Sequence, residues 1–185
     1  AEHYQRSGGD PAPPLLESIA ASERILKAHP DDSSSHFQLG SAFSRLAEVR
    51  LSRGQDPDVD FARALDHLSR SLELEPGHPI TLNNLGLAHW RRGMYRLGLG
   101  QDPTPDLEQA ADAFHRASSD LIAPVVSLNR GNVYVARAFY EQDQGLDPTA
   151  SMESAVEAYE AALALNQKET ATWSNLGSAQ LLLAQ

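Results

Sequence analysis

The chain has 185 residues, with 25 acidic against 15 basic side chains and a net charge of −10. This acidity argues against nucleic-acid binding, which needs a basic surface, and the lack of cysteine excludes disulfides, thiolate metal sites and a cysteine nucleophile. No apolar run approaches the roughly 18 to 20 residues that span a bilayer and no signal peptide is visible, so we expect a cytoplasmic protein without a membrane segment.

A short phrase of the form Gly-x-Asp-Pro recurs along the chain at nearly constant spacing. Its prolines are 46, 46 and 45 residues apart, a period that indicates stacked repeats in which each unit contacts mainly its neighbours. The four copies are Gly8-Gly9-Asp10-Pro11, Gly54-Gln55-Asp56-Pro57, Gly100-Gln101-Asp102-Pro103 and Gly145-Leu146-Asp147-Pro148.

A second landmark keeps the same period and fixes the units. It consists of Leu39-Gly40, Leu85-Gly86, Arg130-Gly131 and Leu176-Gly177. Together the landmarks predict one repeat array over residues 1–185, with units at 33–78, 79–123 and 124–169 and partial units at 1–32 and 170–185. Because residues 1–11 overlay on residues 47–57 and the chain stops early in another helix, we expect it to be an excerpt of a longer array.

Each unit is predicted to contain two helices, called here helix A and helix B. Helix A, for example residues 34–53 or 80–99, ends at the glycine of the recurring phrase, because glycine readily takes the left-handed conformation that closes a helix. The Asp-Pro pair that follows either opens helix B or forms a turn just before it. Helix B then covers segments such as residues 61–74, where apolar and small residues recur at three-and-four spacing.

Small residues recur at matching positions of the two helices. A glycine inside a helix costs roughly 1 kcal/mol relative to alanine, so its recurrence in helix A indicates that another helix lies too close for a side chain. These glycines are Gly40, Gly86, Gly131 and Gly177. Ala64, Ala110 and Ala155 each follow such a glycine by 24 residues and are the predicted opposing surface on helix B.

These positions resemble the tetratricopeptide repeat (TPR), which reads W-x2-L-G-x2-Y, then A-x3-F, then a proline. The first half appears as His36, Leu39, Gly40, Phe43; as Leu82, Leu85, Gly86, His89; as Ser127, Arg130, Gly131, Tyr134; and as Trp173, Leu176, Gly177, Gln180. The second half appears as Ala64, Leu68, Ser71 with Pro76; as Ala110, Phe114, Ala117 with Pro124; and as Ala155, Tyr159, Ala162. The resemblance covers nearly the whole chain.

The units are longer than those of the family. Each exceeds the family repeat of about 34 residues by about 12, and the excess lies between the glycine of helix A and the alanine of helix B. We therefore expect an extended helix A followed by a longer loop that carries the Gly-x-Asp-Pro phrase. Sel1-like repeats also insert residues between their helices and are the alternative subtype.

The resemblance implies an all-α fold, a right-handed α-α superhelix of antiparallel helix pairs whose helices A line a concave groove. The helix A segments are neutral to basic, whereas the helix B segments with their Asp-Pro leads are acidic. A neutral-to-basic groove inside an acidic shell is therefore implied. Acidic outer faces also serve as ordinary solubilising surface.

The resemblance also places the groove surface on particular helix A positions. The candidate residues are Phe37, Arg45, Asn83, Leu87, Trp90, Arg91, Leu128, Asn132 and Val135. Trp90 beside Arg91 is the favoured pair, because tryptophan and arginine are enriched among binding hot spots; the alternative is that Trp90 packs between adjacent helices A. The recurring Asn84, Asn129 and Asn175 are predicted to be structural.

Arg130 departs from the pattern of the other units. It takes the place that leucine holds at positions 39, 85 and 176, where a core contact between helix A and helix B is expected. We expect its aliphatic stem to pack and its guanidinium to reach an acidic partner; the alternative is a local rotation of the helix.

The sequence contains no recognisable catalytic, cofactor or metal motif. None of the seven histidines forms a pair at ligand spacing. Asp56, Asp58 and Asp60 imitate the start of a calcium loop, but Phe61 replaces its glycine and His67 its closing glutamate, so these aspartates are interpreted as helix-capping acids. We expect neither an enzyme nor a bound cofactor.

The predicted function is a protein–protein or peptide interaction scaffold whose unidentified partner binds the concave helix A surface. One alternative is a self-assembling structural array, because the C-terminal helix carries leucines and presents an apolar flank through which homo-oligomers could form. A second alternative, drawn from the resemblance, is the regulatory array of a larger bacterial signalling protein such as a serine/threonine kinase.

Overall fold

The structure is a computed structural model that describes residues 10–117, 119 and 121–183. All regular secondary structure in these residues is α-helical. The helices are α1 (Ala12–Ala28), α2 (Ser33–Ser52), α3 (Asp58–Leu74), α4 (Pro79–Gly98), α5 (Thr104–Arg116), α6 (Ala123–Asp143), α7 (Thr149–Leu165) and α8 (Thr170–Leu183). Helices α2, α4, α6 and α8 are the predicted helices A, and α1, α3, α5 and α7 the helices B. None of these eight has the length and apolar character needed to cross a membrane.

The glycine of the recurring phrase closes helix A, as predicted. Gly54, Gly100 and Gly145 have φ angles of 67°, 69° and 70°, which residues other than glycine rarely adopt. Behind α2, the backbone N–H of Gln55 donates to the carbonyl of Arg50 over 2.9 Å. The same bond recurs behind α4 and α6, so each helix ends in a Schellman motif that satisfies its last carbonyls.

The aspartate of the phrase forms a turn just before helix B. The carboxylate of Asp56 accepts a hydrogen bond from the backbone N–H of Asp58 at 3.0 Å. Asp10, Asp102 and Asp147 accept in the same way from the residue two positions on. Hydrogen bonds from Thr104 hold the pKa of Asp102 below its usual value. The phrase is thus a structural connector.

The chain divides into two compact units inside α4, between Ala88 and His89. In the first unit α1 packs on α2 and α2 on α3, around a core that includes Ile19, Leu39 and Phe43. In the second unit α5, α6, α7 and α8 pack in chain order, and their core includes Tyr159 and Leu176. Each unit is therefore built from consecutive antiparallel helices.

The helix A glycines differ in how closely helix B approaches them. A Cβ atom on Gly40 would lie 2.5 Å from Leu68 Cγ and 3.0 Å from the carbonyl oxygen of Ala64, which confirms the predicted contact with Ala64. On Gly131 it would lie 2.3 Å from the ring of Tyr159, so the tyrosine and not Ala155 is the nearest neighbour. Gly177 has open space at this position among the described residues.

Two buried aspartates tie the extended end of helix A to the first turn of helix B. Asp60 is buried and forms an ion pair with Arg50. Asp106, which is 1% exposed, lies 2.9 Å from Nδ1 of His89. Its oxygens also accept hydrogen bonds from Arg92 at 2.7 Å and Arg96 at 2.6 Å. The interpretation of Asp60 as a capping acid is therefore wrong, since its carboxylate is an internal ion-pair partner.

We call a helix A and the helix B that follows it a hairpin. The third hairpin, α6 with α7, has different residues at both positions of this ion pair. Arg50, Arg96 and Glu141 each lie ten residues after the landmark glycine of their helix A. Asp60, Asp106 and Ser151 each lie three residues after the proline of the Gly-x-Asp-Pro phrase. Ser151 is buried, and Glu141 pairs within α6 with Arg137 at 2.8 Å. This hairpin therefore has neither the arginine of positions 50 and 96 nor its aspartate, although Arg137 stands at the position of Arg92.

Arg130 is half-buried in α6. Within residues 10–117, 119 and 121–183 it forms no ion pair, so its predicted acidic partner is not among the described residues.

We predict opposite effects for alanine at two helix A glycines. Gly131→Ala should lower the free energy of unfolding by about 1–3 kcal/mol, because the new methyl group collides with the buried Tyr159 ring. Gly177→Ala, with open space around it, should raise the free energy by up to about 1 kcal/mol through helix propensity. Urea unfolding followed by circular dichroism measures both, and equal effects would contradict the close approach at Gly131.

We further predict that Asp106→Asn destabilises the protein by about 1.5–3 kcal/mol, since it removes the charged acceptor from the half-buried guanidinium groups of Arg92 and Arg96. The control Asp112→Asn removes an exposed ion pair with Arg116 and should cost no more than about 1 kcal/mol.

The same carboxylate should make stability depend on pH. Burial alone would raise the pKa of Asp106, but hydrogen bonds from His89 and Arg92, and the positive charges of Arg92 and Arg96, outweigh burial and lower it. A carboxyl whose folded pKa is depressed stabilises above its unfolded pKa of about 3.9 and loses that contribution as the pH falls towards the folded value. Unfolding curves between pH 6 and pH 2.5 should show this loss, and Asp106→Asn should weaken it; an unchanged pH profile in the variant would refute the assignment.

Candidate functional site

A cavity of about 230 Å³ opens on the helices A of the second unit. Its walls come from the second half of α4, from α6 and from α8, with one side chain from α7. Every residue that lines it is uncharged and most are apolar. They are Trp90, Met94, Asn132, Val135, Ala136, Phe139, Tyr159, Asn175, Ser178, Ala179 and Leu182.

The helical period explains why these residues meet. On α6 the lining positions are 132, 135, 136 and 139, a spacing of three and four that places them on one face. Met94 and Phe139 occupy the same position in their helices, eight residues after the landmark glycine, and are 38% and 44% exposed. Both lie in the part of helix A that extends beyond the family pattern. Continuing the groove period by one turn would have found them in the sequence.

A hydrogen-bond network fixes the polar end of the cavity. The Tyr159 hydroxyl donates to Oδ1 of Asn132 at 2.9 Å, and Nδ2 of Asn175 donates to the same oxygen at 3.1 Å. Burial raises the pKa of Tyr159 to about 12, so the hydroxyl keeps its proton at neutral pH. Asn132 is therefore held in place from α7 and α8.

The bond from Asn175 belongs to a recurring pattern. In the first unit, Nδ2 of Asn84 donates to Ser41 Oγ at 3.0 Å. Ser41 and Asn132 each follow the landmark glycine, and Asn84 and Asn175 each lie two residues before it. These bonds join successive helices A, which supports the structural role predicted for Asn84 and Asn175.

Trp90 forms part of the cavity wall from α4. The side chain is half-buried, and its Nε1 atom is shielded from solvent without an acceptor among the described residues. Arg91, its neighbour in sequence, is half-buried and does not line the cavity. The structure thus places the tryptophan of the predicted pair in the site and the arginine outside its walls.

No family model and no curated protein matches the chain. Among solved structures, a crystal structure of MamA shares 19% identity and a TM-score of 0.57, over 87% of this chain and 74% of that chain. A second MamA structure shares 18% identity and a TM-score of 0.59, over 96% and 75%. MamA contains TPR repeats. The chain has a TPR-like solenoid fold.

The cavity of this TPR-like fold brings together three of the nine predicted groove residues, namely Trp90, Asn132 and Val135. Leu128 packs instead against the core of the second unit. Arg91 lies in the second unit outside the cavity walls, and the other four, Phe37, Arg45, Asn83 and Leu87, belong to the first unit.

The first-unit candidates have different environments. Phe37 packs against a core cluster that contains Leu65 and Leu68, and its ring meets that of His78 edge-on at 6.5 Å. Asn83 and Leu87 are half-buried, and Arg45 is exposed. Phe37 thus contributes to packing between helices, while Arg45 is open to solvent.

The structure contains a histidine pair that the sequence motifs did not predict. His36 Nδ1 in α2 lies 3.0 Å from His67 Nδ1 in α3, and His36 Nε2 is 3.0 Å from the Pro30 carbonyl oxygen. Burial, followed by the proximity of His36, lowers the pKa of His67, so His67 favours its uncharged form. Across the described residues, no three histidine, aspartate or glutamate side chains form a group that could hold a metal ion.

Proposed function

We propose that the chain is an interaction module that binds a protein or peptide on the helix A face of its second unit. The observation that carries the proposal is the uncharged, largely apolar cavity bounded by three helices A. Concave apolar pockets with a few placed polar groups are the usual form of a binding site. The TPR-like fold supports the same function, which the resemblance implied.

Trp90 is the proposed anchor of this surface. Tryptophan is strongly enriched among residues whose truncation weakens binding, and such residues lie in well-packed, desolvated pockets. Met94 adds an unbranched, adaptable side chain at the rim, a property that suits contact with a partner. Arg91 and Arg45 are proposed to make peripheral contacts only.

We also propose the extended TPR subtype of 45–46 residues over the Sel1-like alternative, with repeat units at 33–78, 79–123 and 124–169. The lengths of α2, α4 and α6, at 20, 20 and 21 residues, support the extended helix A. The proposed module is cytoplasmic, acts without a cofactor, has no catalytic role and does not bind nucleic acid. Its attachment to a larger signalling protein stays a hypothesis.

A matched pair of tryptophan variants tests the binding surface. A random-peptide array probed with the chain should lose most of its signal on Trp90→Ala, with affinity reduced by about tenfold or more, as expected for a hot-spot residue. Trp173→Ala removes the other tryptophan, which is 51% exposed on α8 and lies outside the cavity, and should bind normally. Unchanged binding by Trp90→Ala would reject the proposed surface.

The second candidate function is self-assembly through the outer face of α8. Trp173 and Leu181 are 51% and 65% exposed, and Gly177 meets no described atom where Gly40 and Gly131 meet helix B. An apolar face with space for a closely packed helix suits a second copy of the chain.

Light scattering over a range of protein concentrations tests self-assembly. If α8 mediates it, the apparent mass should rise with concentration, and Leu181→Glu should abolish the rise by placing a charge in the contact. Leu165→Glu, which changes a leucine of similar exposure at the end of α7, should have no effect. A constant monomer mass for the unaltered chain would exclude this function.

A further inference from the structure

We infer that the cavity of the second unit accepts one uncharged apolar side chain of a linear peptide, of the leucine or phenylalanine class, and rejects charged side chains. The inference rests on the proposed function, because it assigns a ligand chemistry to the same site. It adds to that function a statement of which residue type in the partner's sequence enters the cavity.

The charge of the cavity walls supports this chemistry. All eleven lining residues are uncharged, and α8 contains no acidic or basic residue between Thr170 and Leu183. The basic side chain closest in sequence to the α6 wall, Arg137, is paired with Glu141 at 2.8 Å. A lysine or aspartate entering the cavity would lose part of its hydration and meet no opposite charge among the lining residues, which is unfavourable.

The size of the cavity limits how much of the peptide enters. Pockets for whole small-molecule ligands have volumes of roughly 300–1,000 Å³, and this cavity, at about 230 Å³, is smaller. It therefore suits a single side chain. Val135, Ala136, Ala179 and Leu182 provide the apolar contacts for such a side chain, whose burial contributes roughly 1.5–3 kcal/mol.

The Asn132 amide group at the polar end of the cavity can bind the backbone of the same peptide. Oδ1 of Asn132 is occupied by Tyr159 and Asn175, and in the described part of the chain its amide group donates to no other residue. An amide donor beside an apolar cavity matches a peptide carbonyl next to an apolar side chain. A peptide, which carries both groups, fits this arrangement better than an apolar small molecule.

Two serines on α8 are suitable positions for a variant that fills the cavity and for its control. Ser178 lines the cavity, and Ser174 lies one turn earlier outside it; both are exposed. Ser178→Phe should therefore occupy the space that the peptide side chain would take. Ser174→Phe adds the same ring to the same helix without entering the cavity.

The experiment selects peptides from a phage-displayed library of random linear peptides and measures binding of one selected peptide by fluorescence anisotropy. We expect leucine, phenylalanine or methionine at one invariant position. Replacement of that residue by aspartate or lysine, or the protein variant Ser178→Phe, should weaken binding by about tenfold or more. Ser174→Phe should bind within about twofold of the unaltered chain, while Ser178→Asp should shift the selected residue to lysine or arginine.

The outcomes separate this inference from the proposed function. If Trp90→Ala abolishes binding but charged residues are accepted at the anchor position, or Ser178→Phe binds normally, the ligand chemistry is wrong and the surface is right. If no peptide is selected, or Trp90→Ala has no effect, the proposed function itself fails. If light scattering shows an association of the chain with itself that Ser178→Phe removes, the occupant is a second copy and the peptide assignment is overturned.

Discussion

The close contact between α6 and α7 at Gly131 is the constraint on which the second unit depends. A side chain at this position would overlap the ring of Tyr159, so the absence of Cβ sets the distance between the two helices. The same tyrosine then donates to Asn132 on the cavity side of α6. One residue thus fills the core between helices A and B and orients a polar group of the candidate site. Core packing and the geometry of the candidate site are coupled through a single ring.

The lengthened helix A adds contacts that the TPR pattern does not include. Its additional turns carry Met94 and Phe139 into the cavity wall, and in the first two hairpins they also carry Arg50 and Arg96 to the buried aspartates of helix B. The insertion is therefore a helical extension that is fastened at its end and contributes surface near its middle. The longer units thus add Met94 and Phe139 to the lining of the cavity.

Local features of the fold could be predicted because each depends on a few adjacent residues. The glycine that closes helix A and the aspartate turn follow from backbone conformation, and the internal glycines marked close helix contacts at Gly40 and Gly131. The burial of Asp60 and the pairing of His36 with His67 could not be predicted, because both depend on which residues of two separate helices face each other. For the site, the structure brings Trp90, Asn132 and Val135, which the family resemblance assigned to the groove, to one cavity. Met94 and Phe139 were not predicted, because they lie beyond the length of the family's helix A.

The joint replacement of the ion pair in the third hairpin limits how these repeats can be recombined. A chimera that joins α6 to α5 would place Glu141, instead of Arg96, beside the buried Asp106. The two acids would then share Arg137, which occupies the position of Arg92. The reverse chimera, which joins α4 to α7, would place Arg96 opposite the uncharged Ser151. Exchange with this hairpin therefore requires the whole helix pair, cut between helix B and the next helix A. A single helix moved into or out of it would carry an electrostatic penalty.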